Sequence, residues 1–185
     1  MSSMHAFQFI VLAWILTSQV AYAEEEVCVE GYLMDVLCIE RGTLMDNPSI
    51  ATLAGPDQHS VMCLIDIDAC RESGFEVLMD PLDSADLHCR GYRLDAAGND
   101  MVVAYARQHG SCTSCNGTGT VERGLRATVR GAVVQGSGSA TEPPTLRVTS
   151  VAEDGVGCGV AGVEHAATAH NDNCVAAPGG CLAAG

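Results

Sequence analysis

Apolar and polar residues alternate most regularly from Leu125 to Val133, where Leu125, Ala127, Val129, Gly131 and Val133 are interleaved with Arg126, Thr128 and Arg130. A period of two belongs to a strand with one dry and one wet face. Arg126, Thr128 and Arg130 are therefore expected in solvent, and Leu125, Ala127, Val129 and Val133 in a core. A one-residue slip would bury two arginines without partners.

Other segments carry shorter patterns. Val27 to Cys38 is apolar with alternating stretches and reads as a long first strand, bent at Gly31. After it come Asn47-Pro48 and Gly55-Pro56, both turn signals. His59 to Cys70 suits a short helix or a strand equally. Phe75 to Met79, released by Gly74 and stopped by Asp80-Pro81, is a second strand, and Cys89 to Asp95 a third. From Asn99 or Asp100 the period becomes helical. Met101, Val102, Tyr105 and Gln108 recur at that spacing, with a capping residue at the start and Gly110 at the end. A loop from Gly136 to Pro144 leads to a fifth strand, Thr145 to Val151. Beyond Ala152 the sequence is rich in alanine and glycine and has no period.

Three strands, a helix and two strands is the element order of a five-stranded OB-like barrel, with its one helix between strands 3 and 4. The expected fold is thus mainly β, disulfide-rich, with an irregular C-terminal tail; an open α+β sandwich is the alternative. The expected domains are a signal peptide over 1–23, the OB-like barrel over 24–151 and a cysteine-containing tail over 152–185.

The signal reading rests on residues 1–23, which hold no Asp, Glu, Lys or Arg, run apolar from Phe7 to Leu16, and end in Ala21-Tyr22-Ala23. That ending is a small-x-small cleavage site. A retained anchor would need about 20 apolar residues, and this run breaks at Thr17-Ser18-Gln19. The mature protein is expected to be secreted or extracytoplasmic, with no membrane contact after cleavage.

Charge narrows the partners. Nine arginines, no lysine and 23 acids give a net −14. Nucleic-acid affinity depends on Lys and Arg displacing counterions, and single-strand binding needs stacked aromatics beside a basic groove. Past the signal the only aromatics are Tyr32, Phe75, Tyr92 and Tyr105. Nucleic acid is excluded, and no motif specifies a protein or small-ligand partner.

Ten cysteines are more than a domain of this length requires, since ~150 residues bury roughly 70% of their unfolded surface without staples. In an oxidising compartment disulfides are the default, so Cys28, Cys38, Cys63, Cys70, Cys89, Cys112, Cys115, Cys158, Cys174 and Cys181 are all disulfide candidates. Cys38 is expected to bond Cys63 or Cys70. Either bond closes a loop of roughly 25 to 33 residues, worth about 3 to 4 kcal/mol on the chain-entropy model. The alternative is a metal site. His59-x-x-x-Cys63 on one helical turn would place both side chains on one face, and Cys38 and Cys70 would complete a tetrahedral set for zinc or copper. Asp35 reads as a turn or cap residue.

Two further constellations carry less. Cys112-Thr-Ser-Cys115-Asn-Gly-Thr-Gly has the C-x-x-C-x-G-x-G form of the zinc knuckle repeat in DnaJ-type chaperones, in one copy where that family has four. Its missing ligands would have to come from His109, His88 or Cys89; a disulfide in a surface loop is the simpler account. Asn116-Gly117-Thr118 is an N-glycosylation acceptor, which favours an exposed loop. In the tail, Cys158, His165, His170, Cys174 and Cys181 suit stapling as well as metal, with no residues to orient ligands.

Asp35-x-x-Cys38, His59-x-x-x-Cys63, Cys70-x-x-Ser73-Gly74, Tyr92-x-Leu94 and Arg130-Gly131 together resemble a poorly characterised group of small exported cysteine-containing domains with an OB-like barrel. The resemblance covers roughly residues 27–151. It implies a non-catalytic domain whose recurring polar cluster is the Asp/Cys/His/Cys set. This chain departs from the group in the long insertion between Cys38 and His59 and in the six residues between Cys63 and Cys70.

No G-x-S-x-G, Walker loop or H-E-x-x-H occurs, so hydrolase and phosphoryl-transfer chemistry have no support. The expected function is that of a secreted, disulfide-stapled, non-catalytic binding or structural domain. The alternative is an extracytoplasmic metal-binding or thiol-redox protein using Cys38, His59, Cys63 and Cys70, or Cys112 and Cys115.

Overall fold

The computed structural model describes residues 26–81, 85–109, 122–134, 137–139, 141–156 and 158. Residues 1–23, expected to be a signal peptide, and Gly110, Cys112, Cys115, Asn116, His165, His170, Cys174 and Cys181 lie outside the described residues.

Five strands, β1 (Glu26–Asp35), β2 (Phe75–Met79), β3 (Cys89–Leu94), β4 (Arg126–Val133) and β5 (Thr145–Ala152), form one mixed sheet. It closes in a ring in the order β1-β2-β3-β5-β4. All pairings are antiparallel except the short β3–β5 seam, where Arg93 faces Thr145 and Leu94 faces Leu146. β1 is long enough to serve two neighbours: Glu26 to Tyr32 pair with β4, and Tyr32 to Asp35 pair with β2. The change of partner falls beside Gly31, where a Cβ would collide with the Leu78 carbonyl. A residue without a side chain is what lets the two strands approach there.

Four helices accompany the sheet: α1 (Val36–Arg41), α2 (Val61–Asp66), α3 (Asp68–Glu72) and α4 (Ala96–His109), together with a 3-10 turn at Pro56–Gln58. Among the described residues no helix is long and apolar enough to cross a membrane. α4 begins earlier than the sequence suggests. Asp95 Oδ1 accepts from Gly98 N at 2.9 Å and so caps the helix, while Asn99 Oδ1 is taken by Phe75 N at 3.0 Å. The first strand ends early for a similar reason. Asp35 Oδ1 accepts from Cys38 N at 2.8 Å, which turns Val36 to Arg41 into a helix closed by Gly42 in the left-handed region (φ 81°).

Two cores result. Leu33, Phe75, Val77, Tyr92, Ala127, Val129 and Leu146 fill the ring, joined by Val61, Leu64 and Ile65 of α2 and Val102, Tyr105 and Ala106 of α4. On the other side of β1 and β2, Met34 and Leu78 pack with Cys38, Ile39, Leu44 and Leu53, so the segment after β1 covers the outer face of the sheet. Beside it Glu76 and Arg90 make a buried two-pronged ion pair, with Nε–Oε2 and Nη2–Oε1 both 2.7 Å.

The alternation in β4 holds on the inner side: Ala127 and Val129 are fully buried. It fails outside. Thr128 is buried too, and its hydroxyl has no partner among the described residues. The chain after β5 folds back over this region, since Asp154 binds Arg126 at 2.7 Å and Cys158 is bonded to Cys28. The chain after β5 thus returns to the face expected to be wet, and nothing in the local pattern announces that return.

Candidate functional site

The end of β1, the loop that follows α1, and the two short helices before β2 bring Asp35, Cys38, Asp46, His59, Cys63 and Cys70 into one cluster. Asp35 is the last residue of β1 and is completely buried. One of its oxygens caps α1; the other accepts from His59 Nε2 at 2.9 Å. On the opposite edge of the imidazole, Nδ1 meets Asp46 Oδ1 at 3.0 Å. Asp46 Oδ2 accepts from Ser60 N at 2.9 Å and lies 3.4 Å from Arg123. A carboxylate can only accept, so an imidazole between two of them donates from both nitrogens and is a cation. Burial works against that charge, but the hydrogen bonds to Asp35 and Asp46 outweigh it and raise the His59 pKa. Burial also opposes the Asp46 carboxylate, yet hydrogen bonds from Ser60 and His59 keep its pKa below the ordinary value.

His59 does not share a helical turn with Cys63. It lies in extended backbone, and Ser60 caps α2 by accepting from Cys63 N at 3.2 Å. The two side chains meet nonetheless: one ligand-type atom each of Asp46, His59 and Cys63 lie within 4.8 Å of one another, as do those of Asp35, Cys38 and Cys70.

The sulfurs form the other half of the cluster. Cys63 Sγ and Cys70 Sγ are 3.8 Å apart, and Cys70 Sγ is 3.8 Å from the Met45 thioether. Met45 N donates to Cys38 Sγ at 3.3 Å. Cys38, Cys63 and Cys70 are all buried thiols, so the expected disulfide from Cys38 is not formed. Cys38 does not end a strand next to a returning strand two. It sits in α1, and Cys63 and Cys70 are on α2 and α3, an arrangement that brings Cys63 and Cys70 Sγ to 3.8 Å and Cys38 Sγ within 4.8 Å of Cys70 Sγ. Burial, reinforced by Asp35, pushes the Cys38 thiol up to about 12. Burial raises Cys63 and Cys70 as well, again with Asp35 contributing.

The remaining candidates are placed elsewhere. Cys28 is bonded to Cys158 with the Cα atoms 5.6 Å apart, and Cys89 is disulfide-bonded, which removes it as a metal ligand. His88 contacts the Leu53 carbonyl at 3.1 Å and packs edge-on against Tyr32; His109 stacks on Tyr105. Sequence reasoning passed over Met45 and Asp46, both in the segment between Cys38 and His59, and gave Asp35 a capping role apart from the Asp/Cys/His/Cys set that the resemblance implies. A polar pair in a turn-rich segment carries no signal of its own. Comparison of the chain with family models, curated proteins and solved structures gives no match.

Proposed function

We propose that the protein is a secreted, non-catalytic binding domain on an OB-like barrel, and that it binds a soft or borderline metal cation, zinc or copper, through Cys38, Cys63 and Cys70. One observation carries the reading: three buried thiols converge in a protein whose Cys28, Cys89 and Cys158 are oxidised. Cysteines in an exported protein pair by default, and thiols gathered yet unpaired are what a thiolate site needs. The spacing fits as well. Metal–thiolate bonds of about 2.3 Å in a tetrahedron hold their sulfurs about 3.8 Å apart, and Cys63 and Cys70 stand at 3.8 Å.

The OB-like assignment is supported by the strand order, the parallel β3–β5 seam and the position of α4 between β3 and β4. The non-catalytic reading is supported by the state of the groups. His59, engaged on both nitrogens, has no lone pair to act as a base, and thiols raised by burial are poor nucleophiles.

Titration of the metal-free protein with Cd(II), followed by the ultraviolet thiolate-to-metal charge-transfer band, tests the proposal. One ion per chain is expected, with loss of the band in Cys63→Ser and Cys70→Ser variants. An unchanged spectrum would leave only the reading of a stapled structural domain, which the Cys28–Cys158 crosslink favours.

A further inference from the structure

Of the donor atoms gathered around His59, most are already engaged. Asp35 spends one oxygen on Cys38 N and the other on His59; Asp46 spends its pair on His59 and Ser60 N; His59 has given up both nitrogens. What remains is sulfur: the thiols of Cys38, Cys63 and Cys70 and the thioether of Met45. Cys70 is the hub. Its Sγ is 3.8 Å from both Cys63 Sγ and Met45 Sδ and within 4.8 Å of Cys38 Sγ.

Donor softness decides which cation such a set takes. Zinc sites are completed by thiolate, imidazole or carboxylate, and a thioether is not among their ligands. Soft thiolate and thioether ligands suit Cu(I), zinc and iron–sulfur clusters; the thioether disfavours zinc and the set holds three thiolates where a cluster takes four, which leaves monovalent copper. Resting on the cation-binding reading above, we infer that the resident ion is Cu(I), held by a sulfur-only set in which Met45 joins the three cysteines. The Asp35–His59–Asp46 bridge then has a positioning role. It fixes the end of β1 and the segment carrying Met45 to the start of α2, so that the four sulfurs face one another, and it touches no metal.

The insertion between Cys38 and His59 gains a purpose on this view. Met45 and Asp46 are adjacent in it, and one residue supplies a sulfur while the other locks the loop to His59. A helix-borne His-x-x-x-Cys pair would need no such loop.

The test is a paired titration of the full, disulfide-intact protein: Cu(I) under anaerobic conditions against a chromophoric Cu(I) chelator, and Zn(II) against a zinc-responsive one. Wild type is expected to take one Cu(I) per chain with a copper X-ray absorption spectrum showing sulfur scatterers only. Met45→Leu, which keeps the volume and loses the donor, is expected to weaken Cu(I) at least tenfold and leave Zn(II) unchanged, with Met45→Cys restoring Cu(I). Nitrogen or oxygen in the copper shell, or equal Cu(I) affinity in Met45→Leu, overturns the sulfur-only assignment. Zinc binding at one ion per chain with no preference for Cu(I) overturns copper while leaving a cation site intact. Failure to bind either ion overturns both readings.

Discussion

Asp35 Oδ2 accepts a hydrogen bond from His59 Nε2 at 2.9 Å, and neither side chain is open to solvent. With Asp46 on the other ring nitrogen, the histidine is a buried cation between two anions. Its pKa is raised on folding above the ordinary 6.5. The stability it contributes is fully present below that value and is lost as pH rises through the folded pKa. Asp46 is shifted down, so its contribution is present above about 4 and is lost as pH falls through its folded value. The metal-free protein is therefore expected to be most resistant to urea between about pH 4 and pH 6.5. The thiols add a second, separate decline only above about pH 9, because their folded pKa values are raised from 9.0. Urea midpoints measured across about pH 3 to pH 11 check this. A His59→Gln variant should lose the decline that starts near neutrality, and a wild-type midpoint that is flat there would contradict the bridge.

Thr128 gives the second prediction. Its hydroxyl is buried with no partner among the described residues, and an unsatisfied buried polar atom costs about 1 to 3 kcal/mol. Thr128→Val keeps the branched shape and is expected to raise stability by about 1 kcal/mol. Thr128→Asp would place a charge in the same dry space and should unfold the domain as Val129→Asp does. Thermal melts of the three variants decide it; a silent Thr128→Asp would mean that the outer face of β4 is wet after all.

The two faces of that strand show where sequence reading reaches and where it stops. Val129 and Ala127 were legible because a period of two is a local property, and β2 because Gly74 and Asp80-Pro81 bracket a short apolar run. The burial of Thr128 was not, since alternation is local, whereas the ties that return the chain after β5 to this face, the Arg126–Asp154 pair and the Cys28–Cys158 bond, join distant parts of the chain. The site divides in the same way. Cys38, His59, Cys63 and Cys70 were identifiable as a set from residue type and spacing. Their geometry was not, because Asp35 and Ser60 act as helix caps and turn an expected strand end and a one-turn pair into two separate short helices, α1 and α2. Met45 and Asp46 acquire meaning only once the insertion is folded against α2.

The Cys28–Cys158 bond spans 130 residues. On the chain-entropy model a loop of that length is worth about 4 to 5 kcal/mol. Cys28→Ser is expected to lower stability by roughly that amount and to speed proteolysis after β5, because the segment carrying Cys158 loses its covalent anchor. Limited proteolysis with and without the substitution provides the check, and an unchanged cleavage pattern would show that Asp154 alone holds the segment.

The last prediction concerns Glu76 of β2 and Arg90 of β3, whose side chains meet although their backbones are not in register, with the carboxylate wholly buried. Arg90 also donates to the Thr141 carbonyl at 3.1 Å, so the pair ties the loop before β5 to the sheet. Bringing two charges out of water is expensive, and their mutual attraction offsets that cost only while both are present. Glu76→Gln leaves the guanidinium only the half-exposed Glu142 carboxylate at 3.6 Å and is expected to cost about 3 kcal/mol, whereas Arg90→Met strands the buried Glu76 carboxylate and is expected to cost about 3 to 5 kcal/mol. The double variant Glu76→Leu, Arg90→Met removes both charges and should recover most of the loss, because apolar groups of like volume suit the neighbouring Met34–Leu78 core. A double-mutant cycle on urea unfolding measures the coupling directly. If the single losses simply add, the pair is not a coupled unit, and the closeness of β2 to β3 there must come from the surrounding apolar contacts instead.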